Sequence, residues 1–229
     1  MDEALLGRSR IFDGLTEAER GECLDAGRVI DVKRGQALAR QGEPARAFYL
    51  VASGLLKLVQ VTPEGHELIV RFVGAGEPFG GVVALAPTEY PVTALAVEAT
   101  RLREWPRDAL AALLDRYPQL RVNIMREMAA HMTDALTRVR ELTTARVDQR
   151  LAQTLVRLSK QCGQAGTEGV LITQPLTRQE LADLAGTTLY TVSRTLTKWE
   201  SQGLIESRKR LLLLRSPEQL LQAAGADED

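Results

Sequence analysis

Residues 187–199 read Thr187-Thr188-Leu189-Tyr190-Thr191-Val192-Ser193-Arg194-Thr195-Leu196-Thr197-Lys198-Trp199. Val192, Leu196 and Trp199 fall at steps of four and three, the spacing of one helix face turned to a core. The other face offers Tyr190, Thr191, Ser193, Arg194, Thr197 and Lys198, groups suited to base edges and phosphates. Arg194 is the candidate for direct readout, because a guanidinium donates two parallel hydrogen bonds to guanine in a major groove. Thr177, Thr188, Thr191 and Lys198 suit backbone contacts that set register, with helix N-termini favouring phosphate. Arg178 and Gln179, just after Thr177, and the basic run Arg208-Lys209-Arg210 complete the candidate DNA-binding set.

Several elements must position these groups. Thr177-Arg178-Gln179-Glu180 is a capping box opening a helix to Ala185, Gly186 breaks it, and the next helix runs from Leu189 to Gln202. Two short helices joined by a glycine-containing turn are a helix-turn-helix. A hairpin pattern from Leu204 to Arg215 carries Ser207–Arg210 at its tip as a basic wing. Upstream, Val147 to Lys160 reads as a helix, Gln161 to Gly169 as a surface loop, and Val170 to Thr173 as a strand.

Gln119 to Thr143 contains no Gly or Pro and reads as one long helix after Pro118. Met125, Met128, Met132, Ala135, Val139 and Leu142 alternate steps of three and four along it, a narrow seam that calls for a partner helix and predicts a homodimer, the alternative being a helix packed on its own β domain. Leu120, Ile124 and Leu136 lie off the seam and are expected to pack within the chain. Before this helix, from about Val29 to Trp105, short strands alternate with glycine turns, the pattern of an antiparallel sandwich or barrel. Thr16 and Glu19 form a capping box ahead of it.

The domains expected are residues 1–118, a β domain with short flanking helices; 119–143, the dimerisation helix; 144–146, a hinge; and 147–224, the DNA-binding domain. Residues 225–229 are an acidic tail. The whole is α+β.

Twenty-nine basic and 30 acidic residues leave a net charge of −1 over 229 residues, so no global field draws the chain to nucleic acid. Residues 147–215, however, hold ten Lys or Arg against six Asp or Glu, a local excess of +4. Cys23 and Cys162 stand alone, which excludes a disulfide framework and a four-thiolate metal site within one chain. No apolar run is long enough to span a bilayer and the N-terminus lacks a signal-peptide pattern, so a cytoplasmic protein without membrane contact is expected. No catalytic, metal or cofactor constellation stands out. The alternatives are a non-specific, architectural DNA-binding protein and, remotely, an enzyme built on His66 or His131.

The order of these parts resembles the Crp/Fnr superfamily of bacterial transcription regulators over nearly the whole chain. The likeness rests on Gly35-Gln36, Arg40-Gln41-Gly42-Glu43-Pro44, Phe48-Tyr49-Leu50, Ser53-Gly54, Thr62-Pro63-Glu64-Gly65 and Gly76-Glu77-Pro78-Phe79-Gly80. It rests equally on Thr177-Arg178-Gln179-Glu180-Leu181-Ala182 and Thr191-Val192-Ser193-Arg194. The resemblance implies a cupin-like or jelly-roll-like β-roll that takes an effector, a dimer helix, and a winged helix that binds a two-fold operator and contacts RNA polymerase.

The departures bear on the effector. In the cAMP receptor branch a Gly-Glu pair holds the ribose, an Arg-Ser pair the cyclic phosphate, and a Thr-Ser pair meets adenine. The corresponding stretches here are Gly80-Gly81-Val82-Val83, Tyr90-Pro91-Val92-Thr93 and Ala135-Leu136, so cAMP is not expected: a buried phosphate would lack its cation. Two cysteines cannot hold the four-thiolate cluster of the fumarate and nitrate reduction branch. The effector position is left to Phe72, Phe79, Gly80, Gly81, Val82, Val83, Leu85, Val92 and Thr93, a mostly apolar set that either binds an unidentified small effector or is filled by its own side chains. Where the family has a glutamate on the reading helix this chain has Tyr190, which predicts an altered or relaxed preference at that base.

Overall fold

A computed structural model describes residues 9–63, 65, 67–84, 87–208 and 210–225. The chain divides into two compact units, one reaching Ala135 and the other starting at Leu136.

Among the described residues the first unit begins with a 3-10 turn (Arg10–Phe12) and then α1 (Glu17–Asp25), whose capping box closes both ways: Thr16 N donates to Glu19 Oε2 at 2.8 Å and Glu19 N to Thr16 Oγ1 at 3.3 Å. Eight strands follow: β1 (Arg28–Val32), β2 (Ala37–Ala39), β3 (Ala47–Ser53), β4 (Leu56–Val61), β5 (Glu67–Val73), β6 (Pro78–Phe79), β7 (Thr93–Ala96) and β8 (Thr100–Pro106). They form two antiparallel sheets, ordered β1-β8-β3-β6 and β2-β7-β4-β5. The core draws on both, with Phe48, Leu50, Leu102 and Trp105 from one and Leu56, Leu58, Val73 and Ala94 from the other. Trp105 Nε1 donates to the Cys23 carbonyl at 2.7 Å, so the buried indole leaves no polar atom unmet.

Two helices complete this unit, α2 (Arg107–Arg116) and the long α3 (Pro118–Thr144), which continues into the second unit. Leu120 and Ile124 are buried in the β core as expected. Leu136 is not: it is 60% exposed, although the sequence reading assigned it to packing within the chain. The β core that takes Leu120 and Ile124 belongs to residues up to Ala135, and Leu136 lies past that boundary.

In the second unit α4 (Val147–Cys162) buries Leu151, Ala152, Leu155 and Leu158. Four strands, β9 (Gly163–Gly166), β10 (Gly169–Ile172), β11 (Ile205–Arg208) and β12 (Leu211–Leu214), pair in the order β11-β12-β10-β9. Residues 163–166 have the glycine-rich composition of the loop expected over Gln161 to Gly169. They form an edge strand through their backbone, and a Cβ on Gly163 would sit 2.0 Å from the Ser159 carbonyl oxygen. Between the strand pairs lie α5 (Arg178–Ala185) and α6 (Leu189–Ser201), and α7 (Pro217–Gly225) follows β12. The sequence reading missed α7, although Ser216 Oγ, accepting from Gln219 N at 3.3 Å, and Pro217 mark its start. The acidic run 227–229 lies outside the described residues.

Candidate nucleic-acid interface

Thr177 caps α5, accepting from Glu180 N at 3.1 Å while Thr177 N donates to Glu180 Oε2 at 2.8 Å. Leu181, Ala182 and Ala185 bury the inner face. Gly186 ends the helix in the left-handed region at φ +62°, and a Cβ there would lie 2.6 Å from Leu142 Cδ2. Glycine meets both requirements.

Arg150 of α4 holds this turn. Its Nε donates to the Ala185 carbonyl at 2.9 Å, Nη2 to the Gly186 carbonyl at 2.9 Å and Nη1 to the Ala145 carbonyl at 2.8 Å. A cation is thereby set against the carbonyl end of α5, where the helix dipole favours it. In the sequence Arg150 is only one of the ten basic residues in 147–215, since two of its partner carbonyls are 35 and 36 positions away. Nearby, Arg157 Nη1 binds Glu141 Oε2 at 2.6 Å, tying the last turns of α3 to α4.

In α6, Thr188 is the cap, accepting from Thr191 N at 3.2 Å, and the two hydroxyls bond each other at 3.0 Å. Val192, Thr195, Leu196 and Trp199 are buried, and Thr195 Oγ1 donates to Asp148 Oδ1 at 3.0 Å. The outward face carries Tyr190, Arg194, Thr197 and Lys198, all exposed, with Thr191 and Ser193 half-buried at its flanks. The structure therefore brings six expected residues onto one helix.

The α5 members differ. Thr177 and Gln179 are exposed, Gln179 donating to Asp183 Oδ1 at 2.7 Å. Arg178 is half-buried, and its Nη1 meets no hydrogen-bond acceptor among the described residues. The hairpin carries a larger departure. Arg208 donates to Glu206 at 2.6 Å and to Glu168 at 2.7 Å, and Arg215 pairs with the same two carboxylates. Those bonds hold the Glu168 and Glu206 carboxyls below their ordinary pKa and raise that of Arg208. Arg208, expected as a cation offered to phosphate, is already paired with two carboxylates at the surface, Glu168 reaching it from the turn between β9 and β10. Arg210 is exposed at φ +75°, and Lys209 lies outside the described residues.

Two family models match the chain: a cyclic nucleotide-binding domain over residues 29–117 and a Crp-like helix-turn-helix domain over residues 149–223. The transcriptional activator protein Anr of Pseudomonas aeruginosa is 33% identical over 205 residues, 89% of this chain and 83% of its own length. The chain belongs to the Crp/Fnr family of transcription regulators. A CRP-like cAMP-activated global transcriptional regulator of Mycobacterium tuberculosis is 25% identical over 98% of this chain and the whole of its own. Among solved structures, FixK2 from Bradyrhizobium japonicum shares the fold with a TM-score of 0.74 at 23% identity, over 86% of this chain and 96% of that one.

In this regulator the expected effector residues split. Phe79 lies between Tyr49 and Tyr90, with ring centroids 6.0 and 5.6 Å away, and the Tyr90 hydroxyl donates to the Ala47 carbonyl at 3.0 Å. Burial, the neighbouring Tyr90 and a bond to Glu104 push the Tyr49 phenol well above its ordinary pKa. Gly80 is buried at φ +82° with the Ala47 carbonyl where a Cβ would stand. Gly81 and Val82 lie in a short 3-10 turn, and a Cβ on Gly81 would meet Met128 Cγ at 3.3 Å and Ile124 at 3.7 Å. Val92 packs against the same core, Thr93 is half-buried on β7 and accepts from Gln41 N at 3.0 Å, and Phe72 is buried on β5. Nothing is described of the Val83 side chain, and Leu85 lies outside the described residues.

The seam of α3 is exposed at Met125, Met132, Ala135, Val139 and Leu142, with Met132 at 66%. Met128 departs from it, half-buried against the β core because Gly81 leaves room there. His131 is also half-buried: its Nε2 meets Arg71 Nη1, and Arg71 Nη2 pairs with Glu77 at 3.0 Å. Burial and the Arg71 charge lower the imidazole pKa to about 4, opposed by Asp134. His66 lies outside the described residues.

Proposed function

We propose that this regulator works as a homodimer reading a palindromic operator, one α6 in each major groove, with half-sites about one helical turn apart. The observation that carries the reading is the division of α6. Its buried face anchors the helix, and its outward face presents Tyr190, Arg194, Thr197 and Lys198 together. Arg194 takes a guanine; Thr177, Thr188, Thr191 and Lys198 take phosphates; Arg178, Gln179, Ser193 and Arg210 flank them. The exposed methionines and aliphatics of α3 are the surface for the second subunit. RNA polymerase is the expected further partner, in the cytoplasm.

For the effector, the packing supports a β-roll filled by its own side chains rather than a cyclic-nucleotide site. Ile124 and Met128 stand over Gly81, and Phe79 is enclosed by two tyrosines. The protein then binds DNA without cAMP. Selection from random duplexes tests the whole reading: a two-fold site bound by a dimer in sedimentation supports it. Binding without sequence preference, governed by salt alone, would instead indicate an architectural protein. Native mass spectrometry of protein from its own host tests the effector part, where a bound small molecule would overturn the filled β-roll.

A further inference from the structure

Tyr190 is 73% exposed at the second position of α6, and Leu189 beside it is 48% exposed. Arg194 lies one turn further along the same face as Tyr190, and Thr197 and Lys198 one turn beyond that. Val192, Thr195, Leu196 and Trp199 are buried on the opposite side, so the Tyr190 ring points away from the domain core. The rest of the outward face is polar or cationic. At its N-terminal end, the end that meets base edges in a helix-turn-helix, it presents apolar surface.

A phenol ring and an isobutyl group neither neutralise phosphate nor donate two parallel bonds to guanine. The major groove has one apolar recognition feature, the C5-methyl group of thymine. We propose that Tyr190 packs its ring on a thymine methyl in each half-site, beside the base pair met by Arg194. This rests on the reading of α6 as the DNA-contacting helix, and the cationic groups of Arg194 and Lys198 on that face supply the charge complementarity that brings it to DNA. A glutamate at this position would accept from the cytosine amino group, which the ring cannot do, so the operator carries thymine where a glutamate would favour cytosine.

Uracil replacement tests the contact with the full-length protein. An operator is first selected from random duplexes, and each thymine of the half-site is then changed to uracil in both halves, which removes only the methyl. One position should weaken binding about fourfold per half-site, about fifteenfold for both, from one buried methyl at roughly 0.8 kcal/mol. Tyr190→Phe should keep that sensitivity and Tyr190→Ala should abolish it, with thermal melting unchanged because the side chain is exposed. The proposal is overturned if no thymine methyl matters, if its effect survives in Tyr190→Ala, or if Tyr190→Phe removes it. A selected operator with any of these results leaves the regulator reading intact; absence of any selected sequence would sink both.

Discussion

Replacing Arg150 with methionine removes three hydrogen bonds at once while keeping an unbranched apolar stem. The bonds, 2.8 to 2.9 Å long, reach the carbonyls of Ala145, Ala185 and Gly186. At roughly 1.5 kcal/mol for a bond to a charged donor they contribute about 4.5 kcal/mol together. Methionine has about as much rotamer freedom to lose as arginine, so no entropy is returned while its stem stays packed, and the loss is about 4.5 kcal/mol. The residue is half-buried, so water can reach some of the released carbonyls, and this figure is the upper end of the expected range. Urea unfolding of the second unit reads it directly, since Trp199 is buried there and a Trp105→Phe background removes the other indole. Arg150→Lys should recover only about a third, because a compact ammonium does not span carbonyls on separate elements. Operator affinity should fall in Arg150→Met with its salt dependence unchanged, since no phosphate contact is deleted. A midpoint indistinguishable from wild type, or full recovery by lysine, would refute the clamp.

Three further outcomes are expected. Val139→Asp should leave the stability of one chain within about 0.5 kcal/mol, because Val139 is 59% exposed, yet raise the dimer dissociation constant at least about tenfold by sedimentation and weaken DNA binding with it. An unaltered dimer would discount the seam. His131 has a folded pKa of about 4, below its ordinary 6.5, so the unfolded chain binds the proton first. Its stabilising contribution is complete above about pH 6.5 and declines as the pH falls towards 4; a stability profile over this range should flatten in His131→Gln, and an unchanged slope would contradict the buried neutral imidazole. Glu168→Gln removes one of the two carboxylates that hold Arg208 and Arg215, so filter binding at several salt concentrations should show tighter DNA association and a salt slope steeper by about one. No change in slope would mean that the network does not limit the wing.

Local signals in the chain translated well into local structure. Both capping boxes, at Thr16 and Thr177, close with the bonds their spacing implies. Val192, Leu196 and Trp199 are buried as their helical spacing requires, and glycine sits at the left-handed end of α5. The misreadings concern residues whose neighbours are distant. Gly163–Gly166 has a loop's composition but becomes a strand because β10 offers it a partner. Met128 belongs to the seam by spacing, yet turns to the β core because Gly81 leaves space beneath it. Leu136 has the spacing of a packing residue but lies beyond the part of α3 that the first unit buries. Arg208 looks like a cation on a hairpin tip, whereas Glu168, 40 residues earlier, reaches it.

By itself the sequence determined the succession of a glycine-punctuated β domain, a long helix and a helix-turn-helix followed by a hairpin, and the outward face of α6. Those properties follow from periodicity, capping chemistry and residue type, which act over a few positions of chain. Tertiary structure alone decided which charges are already paired, that Arg150 holds the helix-turn-helix turn, and that Gly81 lies under Ile124 and Met128. Each of these depends on groups brought together from tens of residues apart, and in close-packed protein the neighbour, rather than the residue type, sets what a side chain is left able to do.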